Sequence, residues 1–347
     1  MKKIVIIAIV SVFFVAVTWL ITSRVGQENS NTNTILNNED NPKTEIPDLS
    51  SDISELPVNP VSLSALMTKE FNGKDLTLGR VLEENVAYTR HYITYTSGDL
   101  TISGILNIPK GTVPPGGWPV LFLNHGYIDT SVYTNGRGLR REQDYLARQG
   151  YAILHSDYRD HAQSDRDSNT EKNVRLGYIE DVINAVYAVK NSDLDMLSKE
   201  RFGMLGHSMG GGISQAVMVA KPDLIDAVVL YAPVSSNVVD NYNRWTARNS
   251  AHVEIINQTH GSPTDNPEFW KNMSPLTFFD KVTVPVLIFH GTNDDSCEID
   301  WSRKTRDALV EAGKDVELVE YNGELHEFGL SHNNFMQSTT KFFKDKL

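Results

Sequence analysis

A chain that runs Phe202-Gly203-Met204-Leu205 and then Gly206-His207-Ser208-Met209-Gly210 has few ways to fold at that point. An apolar strand meets a Gly-x-Ser-x-Gly motif, and a helix-forming stretch, Ser214 to Ala220, follows. Small residues at such a junction predict a sharp strand-to-helix turn that lifts the serine hydroxyl clear of a sheet. A serine hydroxyl is a poor nucleophile until geometry and a neighbouring base improve it, so this turn predicts chemistry at Ser208.

The flanking sequence supplies the sheet. Pro119 to Asn124, Tyr151 to Ser156, Phe202 to Leu205, Ala227 to Tyr231, Val286 to His290 and Val316 to Glu320 read as buried strands. Helical stretches separate most of them, among them Leu139 to Arg148, Ile179 to Lys190, Ser214 to Ala220 and Ser302 to Ala312. Alternation of this kind predicts an α/β fold, a mostly parallel central sheet with helices on both faces. Before it, Tyr88 to Tyr95 and Leu100 to Ile108, joined through Ser97-Gly98-Asp99, predict an N-terminal β-hairpin region. The segment from Ser235 to Phe279, with Tyr242, Trp245 and Trp270, fits the alternation poorly and reads either as a small cap or as a long connection.

The first 26 residues stand apart. Lys2 and Lys3 precede an apolar run from Ile4 to Ile21, and Arg24 follows. At about 1.5 Å per residue the run spans about 27 Å, the thickness of a bilayer's hydrocarbon core. No A-x-A cleavage site follows, so a transmembrane signal anchor is favoured over a cleaved signal peptide. The lysines then stay inside, and the catalytic domain lies outside the cytoplasm. Gln27 to Pro60 is polar and without aromatics, which predicts a disordered linker, leaving 61–347 as the folded domain. A formal charge of −12 without a basic stretch disfavours nucleic acid as a partner, and the membrane is expected only through the N-terminal helix. The single cysteine, Cys297, excludes an internal disulfide and a Cys-rich metal site.

A hydrolytic serine needs a base, an acid that orients the base, and two N–H groups aimed at the developing oxyanion. On a fold of this kind the acid and base follow the serine on loops after later strands. Asp294 follows the strand Val286 to Phe289, with Asp295, Glu298 and Asp300 as rivals, and His326 follows the strand Val316 to Glu320, ahead of His260 and His332. Met209, next after the serine, and Tyr127, in Asn124-His125-Gly126-Tyr127, are the candidate oxyanion donors. His207 points away from the serine on such a turn and reads as packed. His125, His155, His161 and His290 lack a metal-binding spacing, so no metal or cofactor is expected. Gly210-Gly211-Gly212 lacks the lysine of a phosphate loop and suits close packing of helix on strand.

Gly206 to Gly211, His290 to Asp295, Glu324-Leu325-His326 with Phe328, Asn124 to Tyr127 and Ser156 to Arg159 together resemble the catalytic domain of the prolyl oligopeptidase family of α/β-hydrolases, over about residues 85–347. The resemblance implies a Ser-His-Asp hydrolase working through an acyl-enzyme at Ser208, His326 and Asp294. The chain offers no room for the family's propeller before this domain, and Asp160 and Ala162 replace glycines usual after Asp-Tyr-Arg. A carboxylesterase-type activity on a small ester is expected first and a peptidase acting on short peptides second. A non-catalytic binding module would lack a member of the triad.

Overall fold

The computed structural model describes residues 58–347. The expected membrane-spanning helix and nearly all of the expected linker fall outside the described residues. Among the described residues no helix is long and apolar enough to cross a membrane.

A short helix, α1 (Leu63–Thr68), leads into three antiparallel strands, β1 (Lys74–Glu84), β2 (Tyr88–Ser97) and β3 (Leu100–Pro109). Then come β4 (Trp118–Asn124), α2 (Arg140–Arg148), β5 (Ala152–Ser156), α3 (Leu176–Lys190), β6 (Leu197–His207), α4 (Met209–Ala220) and β7 (Ala227–Tyr231). The segment after β7 is helical, with α5 (Val238–Arg244), α6 (Ser250–His260), α7 (Pro267–Met273) and 3-10 turns at Thr246–Arg248 and Pro275–Lys281. The chain closes with β8 (Val286–Gly291), α8 (Ile299–Glu311), β9 (Val316–Tyr321) and α9 (His332–Lys346).

One nine-stranded sheet results, in the order β1-β2-β3-β5-β4-β6-β7-β8-β9. Every pairing from β5 to β9 is parallel, and the three pairings that bring in β1, β2 and β3 are antiparallel. The expected α/β architecture and its leading hairpin are both present. Successive side chains of a strand face opposite sides, and the sequence uses both. Val120, Phe122, Val228 and Leu230 pack with α1, α3 and α4, whereas Leu121, Leu123, Val229 and Tyr231 pack with α2 and α9.

Strand order locates the working edge of the sheet. From β4 the chain crosses to β5 on one side, then returns through α3 to β6 on the other. In open α/β sheets the crevice beyond the carboxyl ends of two such strands is where ligands bind. Here those ends are Asn124 and His207. At the opposite end of α4, the Lys221 ammonium donates to the carbonyls of Met67 (3.0 Å) and Lys69 (2.8 Å), tying α1 to the far edge of the sheet.

Candidate active site

The turn after β6 is built differently from the sequence expectation. Neither Gly206 nor Gly210 has a positive φ; the left-handed residue is Ser208 itself, at φ 54° and ψ −120°. The glycines are there for clearance. A Cβ at Gly206 would strike the Gly210 carbonyl and the Ser214 hydroxyl, and one at Gly210 would strike the Asn124 carbonyl. The strained serine is held by its neighbours: its N–H donates to the Tyr231 carbonyl (3.1 Å), and its carbonyl accepts from Gly211 (2.9 Å), Gly212 (3.2 Å) and Val234 (3.1 Å). Strain that the surroundings over-determine is characteristic of functional positions.

The acid and the base meet as the order of the chain predicts. His326 Nδ1 lies 2.8 Å from Asp294 Oδ2. The other oxygen of Asp294 accepts the N–H groups of Ser296 and Cys297, each at 2.9 Å. His290 adds a donor that the sequence did not reveal. Its Nε2 lies 3.2 Å from Asp294 Oδ2 and 3.0 Å from the Cys297 carbonyl, which can only accept, so this nitrogen carries hydrogen; its Nδ1 meets the Ser302 hydroxyl at 2.7 Å. Burial pushes the Asp294 carboxyl upward, but the hydrogen bonds from His290 and His326 outweigh it and hold the group well below the usual carboxylate range. An ionised Asp294 fixes the His326 hydrogen on Nδ1 and leaves Nε2 as the acceptor. The rivals stand apart: Asp295, Glu298 and Asp300 are exposed, and Asp300 pairs with Arg303 at 2.9 Å.

His326 sits on the turn between β9 and α9. Glu324 fastens that turn by accepting from the N–H groups of Gly329 (2.6 Å) and Ser331 (2.7 Å). His207 is packed, as expected, and also braces the base: its Nε2 lies 3.1 Å from the His326 carbonyl, and the two rings are 4.6 Å apart. Burial, reinforced by the neighbouring His326, lowers the His207 pKa to about 4, so its ring is neutral at pH 7.

Ser208 Oγ makes no hydrogen bond to His326; its polar neighbour is Cys297 Sγ at 3.9 Å. Such links are often open before substrate arrives. Burial pushes the Cys297 thiol up to about 12. Met209 is the first residue of α4, so its N–H has no acceptor within the helix. The loop after β4 passes alongside: a Cβ at Gly126 would lie 3.1 Å from Ser208 Cβ and 3.3 Å from His207 Nδ1. Neighbouring Tyr127 keeps its N–H free of protein partners. His125 is fully buried, stacked on Tyr158 at 4.3 Å, with its Nδ1 2.7 Å from the Gly126 carbonyl. Burial takes its pKa down to about 3.

Below the site lies a polar scaffold. The buried Asp157 accepts from Ser103 (2.5 Å), Tyr133 (2.8 Å), Asn135 (2.7 Å) and the Gly136 N–H (2.7 Å). Asp160 and Ala162 keep left-handed backbones, at φ 69° and 48°, so the glycine geometry persists without glycine. The helical segment 235–279 borders the site. Arg244 donates to the Asp295 carbonyl (2.7 Å), and Trp245 meets Trp301 edge-on at 5.6 Å. Among the described residues no group of three or more His, Cys, Asp or Glu side chains is placed to hold a metal.

Known proteins of the same design share this arrangement of strands. The structure resembles that of acylaminoacyl peptidase from Pyrococcus horikoshii with a TM-score of 0.62, at 21% identity, over 75% of this chain and 42% of that one. It resembles acetyl xylan esterase from Paenibacillus sp. R4 with a TM-score of 0.60, at 18% identity, over 82% of this chain and 92% of that one. In sequence, half of the chain is 30% identical to dipeptidyl peptidase 4 of Felis catus over 179 residues, which is 22% of that relative's length. Residues 137–347, which include Ser208, Asp294 and His326, match the prolyl oligopeptidase family, and the chain belongs to that family.

Proposed function

We propose that the protein is a serine hydrolase that cleaves an ester or amide bond through an acyl-enzyme. Ser208 turns from Cys297 toward His326 Nε2, gives up its proton there and attacks the carbonyl. Asp294 holds the imidazolium, and the N–H groups of Met209 and Tyr127 receive the oxyanion. His326 then delivers the proton to the leaving alcohol or amine. Water repeats the cycle on the acyl-enzyme. The observation that carries this reading is the 2.8 Å contact between His326 and a doubly anchored Asp294, beside a serine held in a strained turn. A fluorophosphonate probe tests it: wild type should be labelled and Ser208→Ala should not. Equal labelling of the two refutes the mechanism.

We take esters as the first substrate class. Their leaving groups need less help from the general acid, and the resemblance to an esterase extends over 92% of that chain. Peptides are the second reading, supported by the resemblance to an acylaminoacyl peptidase and a dipeptidyl peptidase. Rates on p-nitrophenyl acyl esters against dipeptidyl amides separate the two. Attachment to a membrane through Ile4 to Ile21 belongs to the same proposal, supported by the apolar run itself. Recovery of the full-length chain in the soluble fraction of expressing cells would refute it.

A further inference from the structure

We propose that Arg175 is a positioning residue for the oxyanion hole, holding Tyr127 and Met209 in one arrangement around Ser208. The inference rests on the hydrolase reading above. One guanidinium reaches both residues: its carbon lies 5.1 Å from the centre of the Tyr127 ring, and its Nη1 lies 3.9 Å from Met209 Sδ. These are the two residues whose main-chain N–H groups would meet the oxyanion. Tyr127 needs such a hold, because its side chain lies in the open on an irregular loop, 60% exposed.

The backbone supplies an independent sign. Val174 and Arg175, just before α3, are both left-handed, at φ 50° and 59°. Consecutive non-glycine residues in that region, one of them β-branched, are costly and persist only where the surroundings impose them. The strained pair aims the arginine across the mouth of the site. Glu171 sets the plane of the guanidinium, its Oε1 accepting from Nε (3.0 Å) and Nη2 (2.9 Å), and its other oxygen lies 3.7 Å from His252 Nδ1 on α6. The hold on Tyr127 therefore runs back to the helical segment. A cation over an aromatic face is attracted by the ring's quadrupole, and an oxyanion donor helps only if it is already aimed when charge develops. Fixing the ring keeps the Tyr127 N–H aimed.

The test compares Arg175→Gln, Tyr127→Leu and the double variant on p-nitrophenyl acetate. A boronic acid, which forms a tetrahedral adduct with serine, is measured as an inhibitor of each. Rates are normalised to the fraction of Ser208 titrated by fluorophosphonate, so partial misfolding does not count. Each single change should lower kcat about tenfold, part of the 100- to 1000-fold that loss of a whole donor costs. KM should stay within about twofold and boronate affinity should fall in step with kcat. The double variant should be no slower than the slower single, because both changes break one contact. Arg175→Lys, which keeps a cation over the ring, should recover most of the rate. Effects that multiply in the double variant, a raised KM at unchanged kcat, or no change in either constant overturn the proposal. If Arg175→Gln does not fold, Glu171→Ala releases the guanidinium without touching it, and unchanged kcat and boronate affinity there overturn the proposal as well. A wild-type protein whose Ser208 takes up no fluorophosphonate sinks the hydrolase reading instead, so the two failures are distinguishable.

Discussion

Replacing Asp294 by Asn tests the proposed site most directly, because the surroundings of this carboxylate leave an amide no good orientation. Four donors converge on it: the Ser296 and Cys297 N–H groups on one oxygen, and His326 Nδ1 and His290 Nε2 on the other. An amide offers one accepting oxygen and one donating nitrogen. If its nitrogen faces the histidines, it opposes the hydrogen that the Cys297 carbonyl fixes on His290. It also forces His326 to present a bare Nδ1, which moves the hydrogen to Nε2 and removes the base from Ser208. If its nitrogen faces the loop instead, it opposes two main-chain donors. The wrong tautomer costs on the order of 10⁴-fold in kcat in serine hydrolases, equivalent to about 5.4 kcal/mol of barrier. The buried clash of donors costs roughly 1–3 kcal/mol of stability besides. The assay is kcat/KM on a p-nitrophenyl ester beside urea unfolding, with Asp295→Asn, an exposed neighbour, as the control expected to stay within about twofold of wild type. A loss below about tenfold for Asp294→Asn, or an equal loss for Asp295→Asn, would refute the assignment of the acid.

Other outcomes follow from the same geometry. Ser208→Gly should unfold at higher urea than Ser208→Ala, by about 1–2 kcal/mol, because glycine takes the φ of 54° without strain; equal stability would mean that the turn stores none. Acid should weaken the fold through His125 and His207, whose folded pKa values of about 3 and about 4 lie below their unfolded value. Between pH 6.5 and 4 the unfolded chain binds protons that the folded chain refuses, so stability falls as pH falls, with His207 alone contributing roughly 3 kcal/mol by pH 4; equal urea midpoints at pH 7 and pH 4.5 would contradict this. Iodoacetamide at pH 8 should leave activity intact over hours, since the thiol of Cys297, at about 12, yields roughly 10⁻⁴ thiolate; inactivation at the rate of a free thiol would show the cysteine to be open.

How much of the site could be read from sequence depended on whether a residue's role leaves a periodic or positional trace. Ser208, Asp294 and His326 each follow an apolar strand, and strands buried on both faces are conspicuous. The edge strand β1 left no such trace, because of its residues only Leu76 is buried. The helix α9 buries Phe335, Met336, Thr339 and Phe343 at helical spacing, within a segment too polar overall to draw notice. His290 was weighed only as a metal ligand, yet it ends β8 four residues before the acid, a position from which a ring can reach back to the loop. Arg175 carried no sequence signal: its role depends on a left-handed backbone and on partners far away in the chain. The elbow glycines were noticed for the wrong reason. Their freedom to turn is unused, and what the turn requires is their lack of a side chain.

The seating of α1 on the end of α4 decides how the domain can be handled. The nucleophile opens the helix and Lys221 follows its last residue, a helix of 12 residues, so the two points lie about 18 Å apart. Whatever is joined upstream of residue 58, whether a purification tag, a resin bead or a bilayer, therefore meets the domain on the side away from the catalytic mouth. Immobilisation through the amino terminus should leave turnover of soluble substrates unhindered, and a bulky fusion partner placed there should cost nothing in catalysis.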